Sequence, residues 1–283
     1  MKIRRFLSVF LLTLLLTGLF CVPQASAVDL PQVNAKAALL VDYESGRMLY
    51  GLNERDTEYP ASITKVMTAL LTLEAVDQGV LTLDQPVTAP SLVNDMDPTG
   101  SSADIKEGEV LTVEQLLYCM MLVSANEAAC ILAETVAGSQ DAFVALMNQR
   151  AQDLGMTNTH FSDPNGLGDE NHYASALDMA KLGVACLQNP TVAEILSTRT
   201  ITLEGRQLTN HNKLLWQYEG CTGMKTGYTR QAGRTLVSSA ERNGQTLVCV
   251  TLNDRDDWND HKALLDYGFS TFPRQVLAEE GEE

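Results

Sequence analysis

Ser62 and Lys65 stand three residues apart in Ser62-Ile63-Thr64-Lys65, a spacing that puts both side chains on one face of a helix. A hydroxyl with an amine in reach is the beginning of nucleophilic catalysis: an uncharged amine removes the proton and the alkoxide attacks a carbonyl. Two more short motifs follow, Ser124-Ala125-Asn126 and Lys225-Thr226-Gly227. The first offers a hydroxyl to relay a proton to a leaving amine and a carboxamide to hold a substrate amide. The second offers a cation whose charge would depress the Lys65 amine from its usual pKa of about 10.4. Thr226 can hydrogen-bond a carboxylate, Gly227 lets a substrate approach the backbone, and the Tyr228 N–H can join that of Ser62 as an oxyanion hole. Singly, each motif also fits plain capping or a strand end; their order and placement together point to acyl transfer through a serine. There is no Cys-x-x-Cys or His-Glu-x-x-His, and the four histidines are scattered, so the reading assigns no metal and no cofactor.

Those residues need rigid elements to hold them. Alternating apolar stretches from Ala37 to Leu52 around Glu44-Ser45-Gly46-Arg47 predict one β-hairpin. Arg234 to Ala240 and Gln245 to Leu252 around Asn243-Gly244 predict a second. Between them the period becomes helical: 62–77, 112–123 with a capping box at Thr112-Val113-Glu114-Gln115, 126–136, 140–154 and 175–187 with Ser175 as cap, then 258–267. Strands first, helices in the middle and strands last predict an α+β domain, an antiparallel sheet built from both ends of the chain and packed on helices, with a mostly helical lobe between. Ser62 then lies at a helix start, Ser124 and Asn126 at a helix break, and Lys225 at a strand edge.

Residues 1–27 read as an export signal: Lys2, Arg4 and Arg5, a Leu-rich run from Phe6 to Val22, and small residues at Ala25-Ser26-Ala27. Removal takes away three positive charges and no negative ones, moving the net charge from −16 to −19. Such a surface repels nucleic acid and anionic headgroups, leaving membrane attachment only if the signal stays uncleaved. Cys119, Cys130, Cys186, Cys221 and Cys249 show neither disulfide nor zinc spacing and read mostly as buried apolar groups. The domain is expected over 28–272, followed by an acidic tail at 273–283.

At these motifs the sequence resembles the serine-type D-Ala-D-Ala carboxypeptidases, the low-molecular-mass penicillin-binding proteins of the peptidase S11 family. The likeness runs through Pro60-Ala61-Ser62-Ile63-Thr64-Lys65-Val66-Met67-Thr68, Ser124-Ala125-Asn126-Glu127-Ala128, Met147-Asn148 to Leu154-Gly155-Met156, His160-Phe161, Pro164-Asn165-Gly166-Leu167 and Lys225-Thr226-Gly227-Tyr228-Thr229. It implies a β-lactamase/DD-peptidase-like fold and an exported, secreted or wall-associated enzyme. The implied substrate is the D-Ala-D-Ala end of a peptidoglycan stem peptide, with β-lactams as covalent inhibitors. By position, Ser62 attacks the penultimate D-Ala carbonyl and Lys65 takes its proton. Ser124 with Lys225 passes that proton to the departing D-Ala, Asn126 steadies the substrate, Thr226 holds its carboxylate, and Arg255 resembles the family's carboxylate-binding arginine. The chain stops soon after its last predicted helix, without the β-rich domain and amphipathic tail of longer members, so a released enzyme is expected. A β-lactamase would need a deacylating glutamate that Ser162-Asp163-Pro164-Asn165-Gly166-Leu167 lacks. A D,D-endopeptidase of peptide cross-links uses the same machinery, and a non-catalytic wall-binding module would have to have lost it.

Overall fold

The structure, a computed structural model, describes residues 29–274. The expected export signal and all of the acidic tail beyond Arg274 lie outside the described residues. Strands β1 (Ala37–Asp42), β2 (Met48–Leu52) and β3 (Thr57–Glu58) lead to a 3₁₀ turn, Ala61–Thr64, and helix α1 (Lys65–Asp77). The small strands β4 (Pro86–Thr88) and β5 (Val110–Thr112) precede α2 (Val113–Leu122), α3 (Asn126–Ala137) and α4 (Gln140–Asp153). Next come β6 (Ala174–Ser175), α5 (Ala176–Leu187), α6 (Pro190–Ser197), the hairpin β7 (Thr200–Leu203) and β8 (Arg206–Thr209), and the short α7 (Leu214–Gln217). The chain closes with β9 (Cys221–Gly223), β10 (Thr226–Thr229), β11 (Gly233–Arg242), β12 (Gln245–Asp254) and α8 (Asp257–Thr271).

The main sheet runs β10-β11-β12-β1-β2 and is antiparallel throughout, with β9 sharing the β11 edge with β10. β1 pairs with β12 in the register Leu39 with Val250 and Leu40 with Cys249, so the two ends of the domain close on each other as expected. Both faces of this sheet are covered. Leu39, Val41, Val237, Val248 and Val250 belong to the core shared with the helical lobe. Their neighbours Leu40, Leu236, Leu247 and Cys249 pack with Leu264 and Leu265 of α8. The alternation expected for β1 is therefore not kept: successive residues from Ala37 to Val41 are buried on both faces, and each such large apolar side chain contributes roughly 1.5–3 kcal/mol when fully buried.

Local chemistry sets the helix ends. Thr112 accepts from the Gln115 N–H while Gln115 returns a bond to the Thr112 N–H, the predicted capping box. Ser175 accepts from the Asp178 N–H. The last helix is longer than expected, starting at Asp257 and continuing to Thr271, and in the added turn Phe269 packs against the same apolar cluster as Leu264 and Leu265. All five described cysteines are free. Burial pushes the Cys119 thiol up to about 12 and that of Cys130 to about 11, which makes them poor nucleophiles.

Gly268 lets α8 lie close to the sheet: a Cβ there would stand 2.6 Å from Leu247 Cδ1 and 2.7 Å from Leu40 Cδ2. Gly268→Ala is expected to cost about 1–3 kcal/mol through overpacking, lowering the melting temperature in thermal unfolding. The reactivity of Ser62, on the other side of the sheet from this contact, should stay near wild type.

Candidate active site

The first turn after Pro60 is not α-helical, which corrects the expectation of one helix from Ser62. Ala61 has φ +51, a left-handed conformation that costs an L-residue about 1–2 kcal/mol. The chain then makes a 3₁₀ turn over Ala61–Thr64 before α1 begins at Lys65. In a 3₁₀ turn residues i and i+3 eclipse each other, which sets Lys65 directly under Ser62. The Lys65 Nζ lies 2.9 Å from the Ser62 Oγ. Around this turn Thr235 Oγ1 donates to the Pro60 carbonyl at 2.8 Å, Thr68 Oγ1 donates to that of Pro164 at 2.6 Å, and Thr64 Oγ1 meets His172 Nε2 at 2.8 Å.

Lys65 is completely buried, and its Nζ has two further partners, Asn126 Oδ1 at 2.8 Å and the Asn165 carbonyl at 2.6 Å. Both are oxygens that only accept. A neutral amine has two N–H groups and one lone pair, so it satisfies both carbonyl oxygens and still presents the lone pair to the Ser62 O–H. Burial is the leading cause that lowers the Lys65 pKa to about 7, against weaker opposing pulls from Asp163, Cys130 and Glu127. Lys225 is buried as deeply, and its pKa is lowered well below the ordinary lysine value, first by burial and then by the charge of Lys65. Desolvation therefore does most of what the sequence assigned to the second cation, and the repulsion between the two amines appears at Lys225.

The helix break carries Ser124 at φ +64 between α2 and α3. Ser124 Oγ is buried without a hydrogen-bond partner among the described residues, a free hydroxyl in the cleft wall. Asn126 opens α3 and is anchored by its N–H to the Ser101 carbonyl at 2.9 Å. Its carboxamide oxygen accepts from Lys65, so this buried side chain orients the amine from behind the cleft wall.

β10 is an edge strand. Lys225 and Val237 exchange both backbone hydrogen bonds, each 3.0 Å long. Antiparallel pairs alternate, so Gly227 and Thr235 are again hydrogen-bonded while Thr226 and Tyr228 turn their N–H and C=O groups away from β11. The Tyr228 N–H thus points into the open side, as an oxyanion-hole donor must. Gly227 has a different reason from the one expected. A Cβ there would fall 2.3 Å from Thr235 Oγ1 and 3.0 Å from the Ser62 nitrogen, so glycine lets the strand sit against the nucleophile turn. Met224, at φ +83, bends the edge just before Lys225.

These elements border one cleft of about 820 Å³ lined by Ser62, Ser124, Thr226, Gly227 and Tyr228, with His211, Lys213, Trp216, Arg234 and Trp258 further along. Arg255 is exposed and does not line it; its backbone follows β12 beyond the last sheet pair. The cleft guanidinium is Arg234 on β11, opposite Tyr228 in register, held 2.9 Å from Asp257 and stacked over Trp258 at 5.4 Å. Sequence reasoning missed Arg234 because the motif was read along β10 alone; pairing the predicted second hairpin with β10 would have brought it forward. Asn165 was likewise recognised within a motif but given no role, because a backbone carbonyl leaves no mark on residue type.

A family model described as peptidase S11, D-alanyl-D-alanine carboxypeptidase, matches residues 24–256. The D-alanyl-D-alanine carboxypeptidase DacF of Bacillus subtilis is 34% identical over 251 residues, covering 86% of this chain and 64% of that protein. The D-alanyl-D-alanine carboxypeptidase DacA of Haemophilus influenzae is 36% identical over 262 residues, covering 89% of this chain. The chain spans just under two thirds, 66%, of that relative's length. Among solved structures, penicillin binding protein 5 from Haemophilus influenzae superposes with a TM-score of 0.82 at 35% identity, over 86% of this chain and 73% of that one.

Two outcomes follow from this geometry. The rate at which Ser62 is acylated should rise with pH through about 7, because the reactive form is the neutral Lys65 amine and the amine gains it only above its lowered pKa; stopped-flow labelling across pH 5 to 9 measures it. Gly227→Ala should slow acylation about 100-fold or more, since a displacement near 1 Å at the nucleophile has that scale, while circular dichroism shows the fold retained.

Proposed function

The chain belongs to the peptidase S11 family, and on that premise we propose that it is a serine D-Ala-D-Ala carboxypeptidase acting on peptidoglycan stem peptides outside the cytoplasm. The observation that carries the proposal is the Lys65 amine set between two acceptor-only oxygens and the Ser62 hydroxyl. That arrangement suits a base kept neutral for proton abstraction. Ser62 attacks the carbonyl of the penultimate D-Ala as its proton moves to Lys65. The Ser62 and Tyr228 N–H groups receive the developing oxyanion. Ser124 and Lys225 carry the proton to the departing D-Ala nitrogen, and Asn126, already bonded to Lys65, has its N–H₂ left to steady the substrate amide. Water then releases the shortened peptide.

Thr226 and Arg234 are the groups we assign to the terminal carboxylate, Arg234 replacing Arg255 in that role because it faces the cleft and is held in place by Asp257. A guanidinium oriented by one carboxylate and an aromatic face keeps its remaining N–H donors aimed outward. β-Lactams, carrying a carboxylate and a strained acyl group, fit the same positions as covalent inhibitors. The deacylating carboxylate of a β-lactamase has no counterpart among the described residues: Asp257, the acidic residue lining the cleft, is engaged by Arg234, and the Asp163 carboxylate oxygen Oδ1 accepts the N–H groups of Asn165 and Gly166.

Mass spectrometry of a synthetic L-Lys-D-Ala-D-Ala peptide after incubation should show loss of one D-alanine, and Ser62→Ala should lose both this activity and labelling by fluorescent penicillin. Labelling with no peptide cleavage would sink the carboxypeptidase reading. Arg234→Gln should raise KM for the free-acid peptide roughly 10- to 100-fold, the scale of a lost charged hydrogen bond, and change the C-terminal amide far less. The same loss in Arg255→Gln, with Arg234→Gln unaffected, would return the carboxylate to Arg255.

A further inference from the structure

One titratable side chain in the cleft is unused by the reaction described so far. His211 lines the same cavity as Ser62 and Ser124. Its N–H donates to the Leu122 carbonyl at 3.0 Å, tying it to the last residue of α2, two positions before Ser124. The neighbouring Asn212 fixes this segment from below, donating from Nδ2 to the Gly223 carbonyl at 2.8 Å and accepting from the Leu214 N–H at 3.1 Å. The segment therefore rests on a firm backbone, and the Ser124 hydroxyl in the same cavity has no hydrogen-bond partner among the described residues. His211 and Ser124 line one open cavity of about 820 Å³, roomy enough for a water to enter on their side of Ser62.

We propose that His211 is a further catalytic residue, the general base for the water that hydrolyses the acyl-enzyme. The inference rests on the carboxypeptidase reading. Once D-alanine has left, the incoming water takes the path of the leaving amine, on the side where Ser124 stands. As the water oxygen bonds to the acyl carbonyl carbon, one of its protons passes to the imidazole. When the tetrahedral intermediate collapses, the carbon–Oγ bond of Ser62 breaks and the imidazolium returns that proton through the Ser124 hydroxyl to the Ser62 oxygen. The hydroxyl of water ends on the peptide and its hydrogen on the enzyme, with nothing left over.

The surroundings keep the ring basic in form. The residue is exposed along the open cleft, and partial desolvation by the cleft walls, then the charge of Lys225, shifts its pKa below the ordinary histidine value, which favours the uncharged imidazole at neutral pH. The other charged or titratable groups lining the cavity are Lys213 on its own segment, Tyr228 on β10 and Arg234 with its partner Asp257, while Lys65 lies buried beneath Ser62. Cations outnumber the single carboxylate, which is itself paired, and this favours the neutral ring. Acylation waits on Lys65, near pH 7, whereas the hydrolytic step should keep its rate to lower pH and fall only as His211 becomes protonated.

The test uses the whole chain and a depsipeptide ending in D-Ala-D-lactate, whose good leaving group makes deacylation limiting. His211→Ala should slow lactate turnover about 100-fold, the scale of a general base, with a Ser62 acyl adduct accumulating by intact-mass spectrometry and the acid limb of the kcat profile displaced. Added imidazole should restore turnover. His211→Arg should be as slow as the alanine variant, because guanidinium cannot accept a proton. Unchanged kcat with raised KM in His211→Ala, recovered in His211→Arg, would make the residue a carboxylate binder and overturn the proposal. Absence of both adduct and turnover in the wild type would overturn the carboxypeptidase reading along with it. Normal wild-type turnover with no adduct in His211→Ala would overturn the base alone.

Discussion

Burying an amine with no carboxylate beside it is the constraint on which the rest of the structure depends. No acidic group stands within ion-pair distance of Lys65 among the described residues. A charged ammonium would lose several kcal/mol of hydration there, so burial favours the uncharged amine even though the three oxygens around Nζ could each accept from an ammonium. The same packing that removes water also removes alternatives: the nucleophile turn is clamped by a strand edge, a loop and two helices. Asn126 and Asn165 reach Lys65 from 61 and 100 residues away in sequence. The Ser62–Lys65 arrangement is thus a property of the assembled domain, and the local Ser-x-x-Lys pattern is only its most visible part.

Backbone strain concentrates at the same places. Ala61, Ser124 and Met224 all adopt positive φ without being glycine, and each precedes or belongs to one of the three motifs. The other non-glycine residues with positive φ are Asn53, Asp104, Glu204, Asn243 and Asn253, mostly Asn and Asp, which tolerate that region more easily. The three motif positions instead need support, and they have it: Gly166 leaves room for the Ala61 carbonyl, which a Cβ at that glycine would meet at 2.0 Å. Strain of this kind persists where surrounding contacts over-determine the conformation.

Much of this was legible in the sequence, and for identifiable reasons. The two hairpins, the capping box at Thr112 and the free, buried cysteines rest on local signals, and the fold class follows from the order of the elements. Of the site residues named from motifs, Ser62, Ser124, Thr226, Gly227 and Tyr228 line one cleft, and Lys65 and Asn126 lie behind Ser62 in one hydrogen-bonded chain. Lys225 is buried next to Thr226, and Arg255, named by its resemblance to the family's arginine, stands outside. Arg234 stood in plain view within a predicted strand, but its meaning depends on pairing with β10. The β7–β8 hairpin carries alternating Ile201, Leu203 and Leu208 around Glu204-Gly205, and α6 opens on Asn189-Pro190 with Asn189 as cap. Those signals were present and short. His211 was set aside as one of several scattered histidines, since only the fold shows that its segment is tied to the turn bearing Ser124.

The sheet that joins both ends of the domain has a kinetic consequence. Ala37 pairs with Leu252, so β1 has no partner on its β12 side until almost the entire polypeptide is available. Closing a loop some twentyfold longer than a hairpin costs about 2.7 kcal/mol more in chain entropy by the logarithmic rule, and high contact order slows folding. β10, whose edge borders the cleft beside Ser62, belongs to that late-arriving half. A nascent or truncated chain would carry Ser62 and Lys65 side by side in sequence and yet hold no reactive centre, so chemical competence is gained late in maturation.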